Sequence, residues 1–210
     1  MLENDSWLPL FPLGTVLFPD GILPLKVFET RYTDMVRSCM KTATPFGVVL
    51  IKSGQEVGIA ALPAAVGCIA NITQWDMPTL GLLMLRTQGG ERFRIIETRT
   101  LADQRLEARV TMMAPDAVVA VSEIHISCAK ALKVVIDEIS AQYRADPPDS
   151  PVSESPFAEP ARLDNAGWVA NRWCEILPIP MEARQKLLEL DDPESRLAVV
   201  YRYLQQHQIV

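Results

Sequence analysis

The chain has 210 residues, 49% of them hydrophobic and 22% charged, enough to bury a core without staples as one large domain or two small ones. It contains no apolar run long enough to cross a bilayer, and Met1 to Ser6 lack the basic and apolar segments of a secretory signal, so the sequence predicts a cytoplasmic protein with no membrane partner. The net charge of −6 divides unevenly, with 11 Lys/Arg against 11 Asp/Glu in residues 1–115 and 9 against 15 in 116–210; phosphate backbones are repelled by such a balance, and no nucleic-acid partner is expected.

The first informative stretch runs from Leu8 to Tyr32. Pro9, Pro12, Pro19 and Pro24 forbid a helix and hold an apolar ribbon extended. From Val27 to Lys41 the residues Phe28, Tyr32, Met35, Val36, Cys39 and Met40 recur at helical spacing, which predicts an amphipathic helix packed on a sheet. Phe46–Ile51, Val66–Trp75 and Leu82–Leu85 are short apolar runs bounded by Gly, Pro or polar residues and read as buried strands. Gln88-Gly89-Gly90-Glu91 reads as a hairpin turn leading to Arg92–Ile96, and Leu106, Ala108, Val110 and Met112 alternate as a strand with one wet face. These strands around one early helix predict a strongly curved sheet or partly open barrel, ending near Pro115, rather than a βαβ nucleotide-binding fold.

From Asp116 the period changes. Val118, Val121, Ile124, Cys128, Leu132, Val135 and Ile139 predict one long helix to about Tyr143. Residues 146–161 carry five prolines among Ser, Glu and Asp and read as an exposed loop. Asp164 is the expected cap of a helix bearing Trp168 and Trp173, a short helix covers Met181 to Leu190, and Asp192-Pro193 opens the last helix. The expected organisation is therefore a β-rich subdomain over 1–115 and a helical subdomain over 116–210.

The search for chemistry finds no catalytic set. Neither a phosphate-binding G-x-x-x-x-G-K-[ST] nor a G-x-S-x-G is present, and only His125 and His207 could serve as imidazole bases. His125 and Cys128 share a helical spacing, but two ligands make no metal site, and the four cysteines, Cys39, Cys68, Cys128 and Cys174, read as buried reduced thiols. The acidic group Glu189, Asp191, Asp192 and Glu194 straddles a helix start and complements its dipole. No enzyme activity, cofactor or metal is expected. The residues that could meet a partner are Trp75, Met77 and Leu80, which bridge two strands, and Trp168 beside the junction of the two halves. Core burial is the competing reading for Trp75, and the favoured one.

The run from Leu8-Pro9-Leu10-Phe11-Pro12-Leu13 through Val16-Leu17-Phe18-Pro19, Leu23-Pro24-Leu25 and Phe28-Glu29-Thr30-Arg31-Tyr32 resembles the opening of the amino-terminal substrate-binding domain of the Lon protease family. The resemblance continues through Phe46–Val49, Glu56–Gly58, Val66–Ala70, Gly90–Ile95 and Trp173 to Leu188, nearly the whole chain. It implies an α+β fold, a PUA-like β pseudobarrel followed by a C-terminal helical bundle, and recognition of unfolded polypeptides without ATPase or peptidase in this chain. Asp20 departs from the pattern where a glycine is common. Within the motif Glu29 and Arg31 read as a structural pair. The leading expectation is a stand-alone, non-enzymatic protein- or peptide-binding domain, an adaptor or holdase, monomeric or weakly dimeric. The alternatives are a small-molecule-binding protein or enzyme with a pocket between the halves, and an RNA binder whose Lys26, Arg31, Arg37, Lys41 and Lys52 converge.

Overall fold

The computed structural model describes residues 7–56, 58–145 and 155–210. Six strands, β1 (Leu8–Leu13), β2 (Ile22–Val27), β3 (Phe46–Ser53), β4 (Leu62–Thr79), β5 (Leu82–Thr100) and β6 (Leu106–Met112), form one sheet in the order β2-β5-β4-β3-β1-β6. Because β6 also pairs with β5, five of the strands close into a ring, a pseudobarrel, with β2 outside it. The proline-bearing opening ribbon supplies β1, which lies parallel to β3 and antiparallel to β6.

Helix α1 (Thr30–Thr42) buries Tyr32, Met35, Val36 and Cys39 against residues of β2, β3, β4 and β5. The helix starts later than its apolar spacing predicts. Val27 pairs with Leu83 as the last residue of β2, and its inward side chain only happens to extend the helical stripe. Phe28 follows it out into solvent, 64% exposed.

The glycine pair is not a turn. β5 runs straight through Gln88–Glu91, and the register with β4 shifts there, between Cys68 opposite Arg92 and Ala70 opposite Gly89. A Cβ on Gly89 would stand 2.0 Å from the Phe18 carbonyl oxygen, so glycine permits the close approach of the Phe18–Gly21 backbone. Asp20 N–H donates to Gly89 O and Gly89 N–H to Gly21 O, each at 2.8 Å, with Asp20 at φ 61°. That left-handed conformation is why glycine suits this position, and aspartate is among the residues that tolerate it. The true turn is Leu80–Gly81, where Gly81 has φ 87°, so β4 and β5 form one long hairpin.

The helical part also begins differently. Residues after Asp116 run extended, with Val121 N–H on Asp164 O and Ala166 N–H on Val119 O, and a single 3-10 turn at Glu123–His125 precedes α2 (Ile126–Ala145). Val118 and Ile124, 92% and 71% exposed, fit a helical period by coincidence. Helix α3 (Ala166–Ile176) is capped by Asn165 rather than Asp164: its Oδ1 accepts the Trp168 N–H at 2.8 Å. Every residue of α3 from Ala166 to Cys174 is buried, because α2, α5 (Pro193–Gln206), α4 (Met181–Glu189), Val16 and Phe18 of the β1–β2 connection and Val66 of β4 share its core. Asp192 caps α5 as the sequence predicts. Of the proline-rich stretch, 146–154 lie outside the described residues; beyond them the exposed-loop reading fails at Phe157, which is buried and pairs with Gly21 while Arg86 donates to the Ser155 carbonyl at 2.6 Å.

Strands and helices are joined by a buried charge cluster. Asp116 Oδ1 accepts from Arg92 Nη2 at 2.9 Å, and its Oδ2 accepts from Arg196 Nη1 at 2.5 Å. The two guanidinium groups also take up the carbonyls of Leu187, Leu188 and Leu190 at the end of α4. One carboxylate between two arginines, with helix-end carbonyls filling the remaining donors, satisfies charges that would otherwise be costly to bury.

Candidate functional site

The hairpin is longer than the ring needs. β3 pairs with β4 only as far as Phe46 opposite Ala70, whereas β4 continues to Thr79, held by β5 on one edge; β2 lies on the far edge of β5, from Val27 opposite Leu83 to Ile22 opposite Gln88. Residues 71–88 of the hairpin and β2 thus form a three-stranded arm outside the ring. Three of the four sequence-predicted contact residues sit on it. Trp75 and Met77 lie within β4 rather than in a loop, and Leu80 is in the turn.

Leu80 is 96% exposed and Trp75 is 55% exposed, so the favoured core reading of Trp75 is corrected; at that level β4 is paired with β5 alone, and β3 has already ended. Met77 is half-buried against the α1 core. Trp168 is the fourth, and it is not a surface residue at all. Only 3% of it is accessible, because α3 is enclosed on every side; its ring faces the Arg172 guanidinium 5.5 Å away. Trp173 is buried too and donates its indole N–H to the Cys128 carbonyl at 3.0 Å.

Beside Trp75 runs an open groove of about 380 Å³. One wall is Asn71, Ile72, Thr73 and Trp75 of β4; the other is the end of α1 and its exit turn, with Met40, Ala43 and Pro45. The helix ends there because Ala43 turns left-handed (φ 52°), letting Thr44 N–H close on the Cys39 carbonyl before Pro45 starts β3. Met40 and Ile72, which both pack on the α1 core, give the groove apolar surface beside the polar Asn71, Thr73 and Thr44. The sequence reading missed these wall residues. Pro45 immediately before an apolar run was the available signal that β3 starts there and leaves β4 uncovered above it.

A distinctly apolar trough, about 600 Å³, lies between α4 and α5 and is lined by Leu187, Leu190, Val199, Tyr203 and others. The junction of strands and helices holds a cavity of about 180 Å³ bounded by Asp20, Arg92, Asp116, Arg162 and Asn171, below the ~300–1,000 Å³ usual for small-molecule pockets. Arg31 is committed to the scaffold: it pairs with Glu29 at 3.0 Å and donates to the Gln104 and Glu56 carbonyls.

Reactive groups are scarce. All four cysteines are free and buried, and desolvation pushes their thiols up, Cys128 to about 11 and Cys174 to about 12. His125 Nδ1 lies 3.1 Å from Ser122 Oγ and the ring packs edge-on to Tyr201, while Cys128 is buried behind it. Among the described residues no three His, Cys, Asp or Glu side chains gather where a metal could bind, and no helix is long and apolar enough to cross a membrane.

A pseudobarrel with a projecting, apolar-tipped arm, closed by a helical bundle, defines the α+β domain. The family model for the ATP-dependent protease La (LON) substrate-binding domain matches residues 7–206, and the chain belongs to that family. It is similar to the crystal structure of a Lon N-terminal domain protein from Xanthomonas campestris, at 32% identity and a TM-score of 0.73, covering 94% of this chain and 98% of that one. The N-terminal domain of Lon protease from the Mycobacterium avium complex shares the fold, with a TM-score of 0.62 at 17% identity over 96% of this chain and the whole of the other. Among curated proteins it is 24% identical to a Lon protease of Anaeromyxobacter dehalogenans and 26% identical to Lon protease 2 of Myxococcus xanthus, over 94% of this chain in each case. The chain spans 23% of the length of these two relatives.

Proposed function

We propose that this domain binds unfolded polypeptide through the arm, in the manner of an adaptor or holdase that needs no nucleotide. The observation that carries this reading is the exposed pair Trp75 and Leu80 on a hairpin that overshoots its ring, beside the groove floored by Met40 and Ile72. An exposed tryptophan beside a groove that offers apolar side chains among polar ones is the kind of surface on which binding energy concentrates. Family membership supports the reading, since the domain that gives the family its description binds substrate.

The test is binding of a permanently unfolded, fluorescently labelled protein to the chain and to its Trp75→Ala and Leu80→Asp variants. Trp75→Ala weakens binding roughly tenfold and Leu80→Asp at least severalfold, with little change when salt is raised. Wild-type binding unchanged by both substitutions would overturn the assignment of the arm, and no binding of unfolded chains at micromolar concentration would overturn the function.

A further inference from the structure

The groove beside Trp75 lies where a strand is missing. β3 pairs with β4 from Ser53 opposite Leu62 to Phe46 opposite Ala70 and stops, because the chain enters it from the end of α1 through Pro45. Beyond Ala70 the line of β3 is continued by open groove, along β4 residues that no described strand covers on that side. Consecutive residues of a strand point to opposite faces. A groove lined by Asn71, Ile72 and Thr73 in succession therefore follows the strand's edge, where backbone N–H and C=O groups lie, and not one face of it.

The two edges of the arm are treated differently. β2, at the other edge, carries Pro24 and Lys26, the residue types that discourage pairing with a further strand. β4 from Asn71 to Trp75 has neither a charge nor a proline; Asp76 and Pro78 come only after the groove. An extended segment is already held next to the arm. Just before β2, Phe157 forms an antiparallel bridge to Gly21, its ring is buried, and Arg86 of the arm holds the Ser155 carbonyl. A backbone bridge and one aromatic anchor suffice there.

Resting on the polypeptide-binding reading above, we propose that a client is bound as an added β-strand that continues β3 along the Asn71–Trp75 edge of β4. Backbone hydrogen bonds supply affinity that is indifferent to sequence, while alternate side chains fall on Trp75 to one side and on Met40 and Ile72 to the other. The substrate class is thus an extended, proline-poor segment with apolar residues at alternate positions. Helical segments and proline-rich ones are excluded, the first by shape and the second by lost N–H donors.

The probe is a short fluorescein-labelled peptide of alternating apolar and polar residues, compared with two derivatives N-methylated at all odd or all even positions within the binding stretch. One derivative loses binding at least tenfold and the other stays within about twofold, since only one set of amides faces β4. Hydrogen exchange with the parent peptide bound shows slowed amides within Asn71–Trp75 and none slowed in Ile22–Val27. Equal losses for both derivatives, or slowing confined to β2, would overturn strand addition. If the parent peptide does not bind while an unfolded protein still binds in a Trp75-dependent way, the strand mode fails and the polypeptide-binding reading stands; if nothing unfolded binds, the underlying reading fails first.

Discussion

The arm and the ring are parts of the same hairpin, yet they solve opposite problems. Between Val66 and Ala70, β4 is paired on both edges, and Val66, Cys68 and Ala70 are all fully buried. A few residues further along, the same strand carries Trp75 into solvent with β5 alone beside it. The difference is one of neighbours as well as of residue type: Val66-Gly67-Cys68-Ile69-Ala70 is apolar throughout, whereas Asn71-Ile72-Thr73-Gln74-Trp75 intersperses polar residues. Stability is concentrated where pairing, the glycine close contact and the arginine joint meet, and the arm is left free to make contacts with something else.

That contrast can be broken most forcefully at the joint. Asp116→Ala leaves Arg92 and Arg196, with 2% and 1% of their side chains exposed, buried without their shared carboxylate. The expected loss is about 3–5 kcal/mol, read as a large drop in the urea midpoint. Trp168→Ala, in the enclosed helix, is expected to cost about the same, 3–5 kcal/mol, through the cavity it opens. Both should leave affinity for unfolded chains unchanged in whatever fraction remains folded.

Glu175, where α3 meets the Phe18–Gly21 backbone, can be tested by pH. Its carboxyl accepts from Arg172 at 3.0 Å, and it lies against Gly21, where a Cβ would meet it. Burial pushes its pKa from the ordinary 4.5 up to about 7, against the opposing pull of Arg172, Arg184 and the Phe18 backbone. The folded value exceeds the unfolded one, so the folded state binds the proton more tightly. This contribution is fully present below about 4.5 and is lost as pH rises through about 7. With 22% of the side chain still exposed, the change across that window is about 2 kcal/mol. Urea titrations between pH 4.5 and 8 should show wild-type stability falling relative to Glu175→Gln as pH rises; parallel curves for the two proteins would refute the assignment. Gly89→Ala comes next, at about 1–3 kcal/mol, because the clash is with the fixed Phe18 carbonyl rather than a movable side chain.

The sequence made the core legible and the arm hard to read, for a physical reason. Alternation and helical spacing report which face is buried, so the inward residues of α1, β6 and α5 could be read directly. They do not report which edge is paired. That Cys68 has strands on both sides and Trp75 only one depends on where β3 starts, the pairing of Phe46 with Ala70, 24 positions apart. For the same reason Gly89 and Gly90 resemble a turn, when the requirement for glycine comes from Phe18. Trp168, read as a contact residue, is buried, and Trp75, favoured for the core, is exposed, because an indole in a helix and an indole in a strand carry no mark of what surrounds them. The family resemblance supplies what periodicity lacks, a global arrangement, but not the surface.

The smallest expected effect is therefore the most discriminating. If the arm is a contact surface held outside the cooperative core, Leu80→Asp should change the unfolding free energy by no more than about 0.5 kcal/mol, since its side chain is almost wholly in water in the native state. Trp75→Ala should cost only slightly more, in proportion to the half of the indole that is covered. Met77, packed against the α1 core, marks the boundary: Met77→Ala should show a clear stability loss of about 1–2 kcal/mol, less than full core burial gives. A gradient from Met77 through Trp75 to Leu80 in stability, running opposite to the order in which exposed surface is available to a partner, is what an arm built for contact requires. Equal destabilisation at all three positions would mean that the arm is an extension of the core, and the separation between ring and arm would not hold.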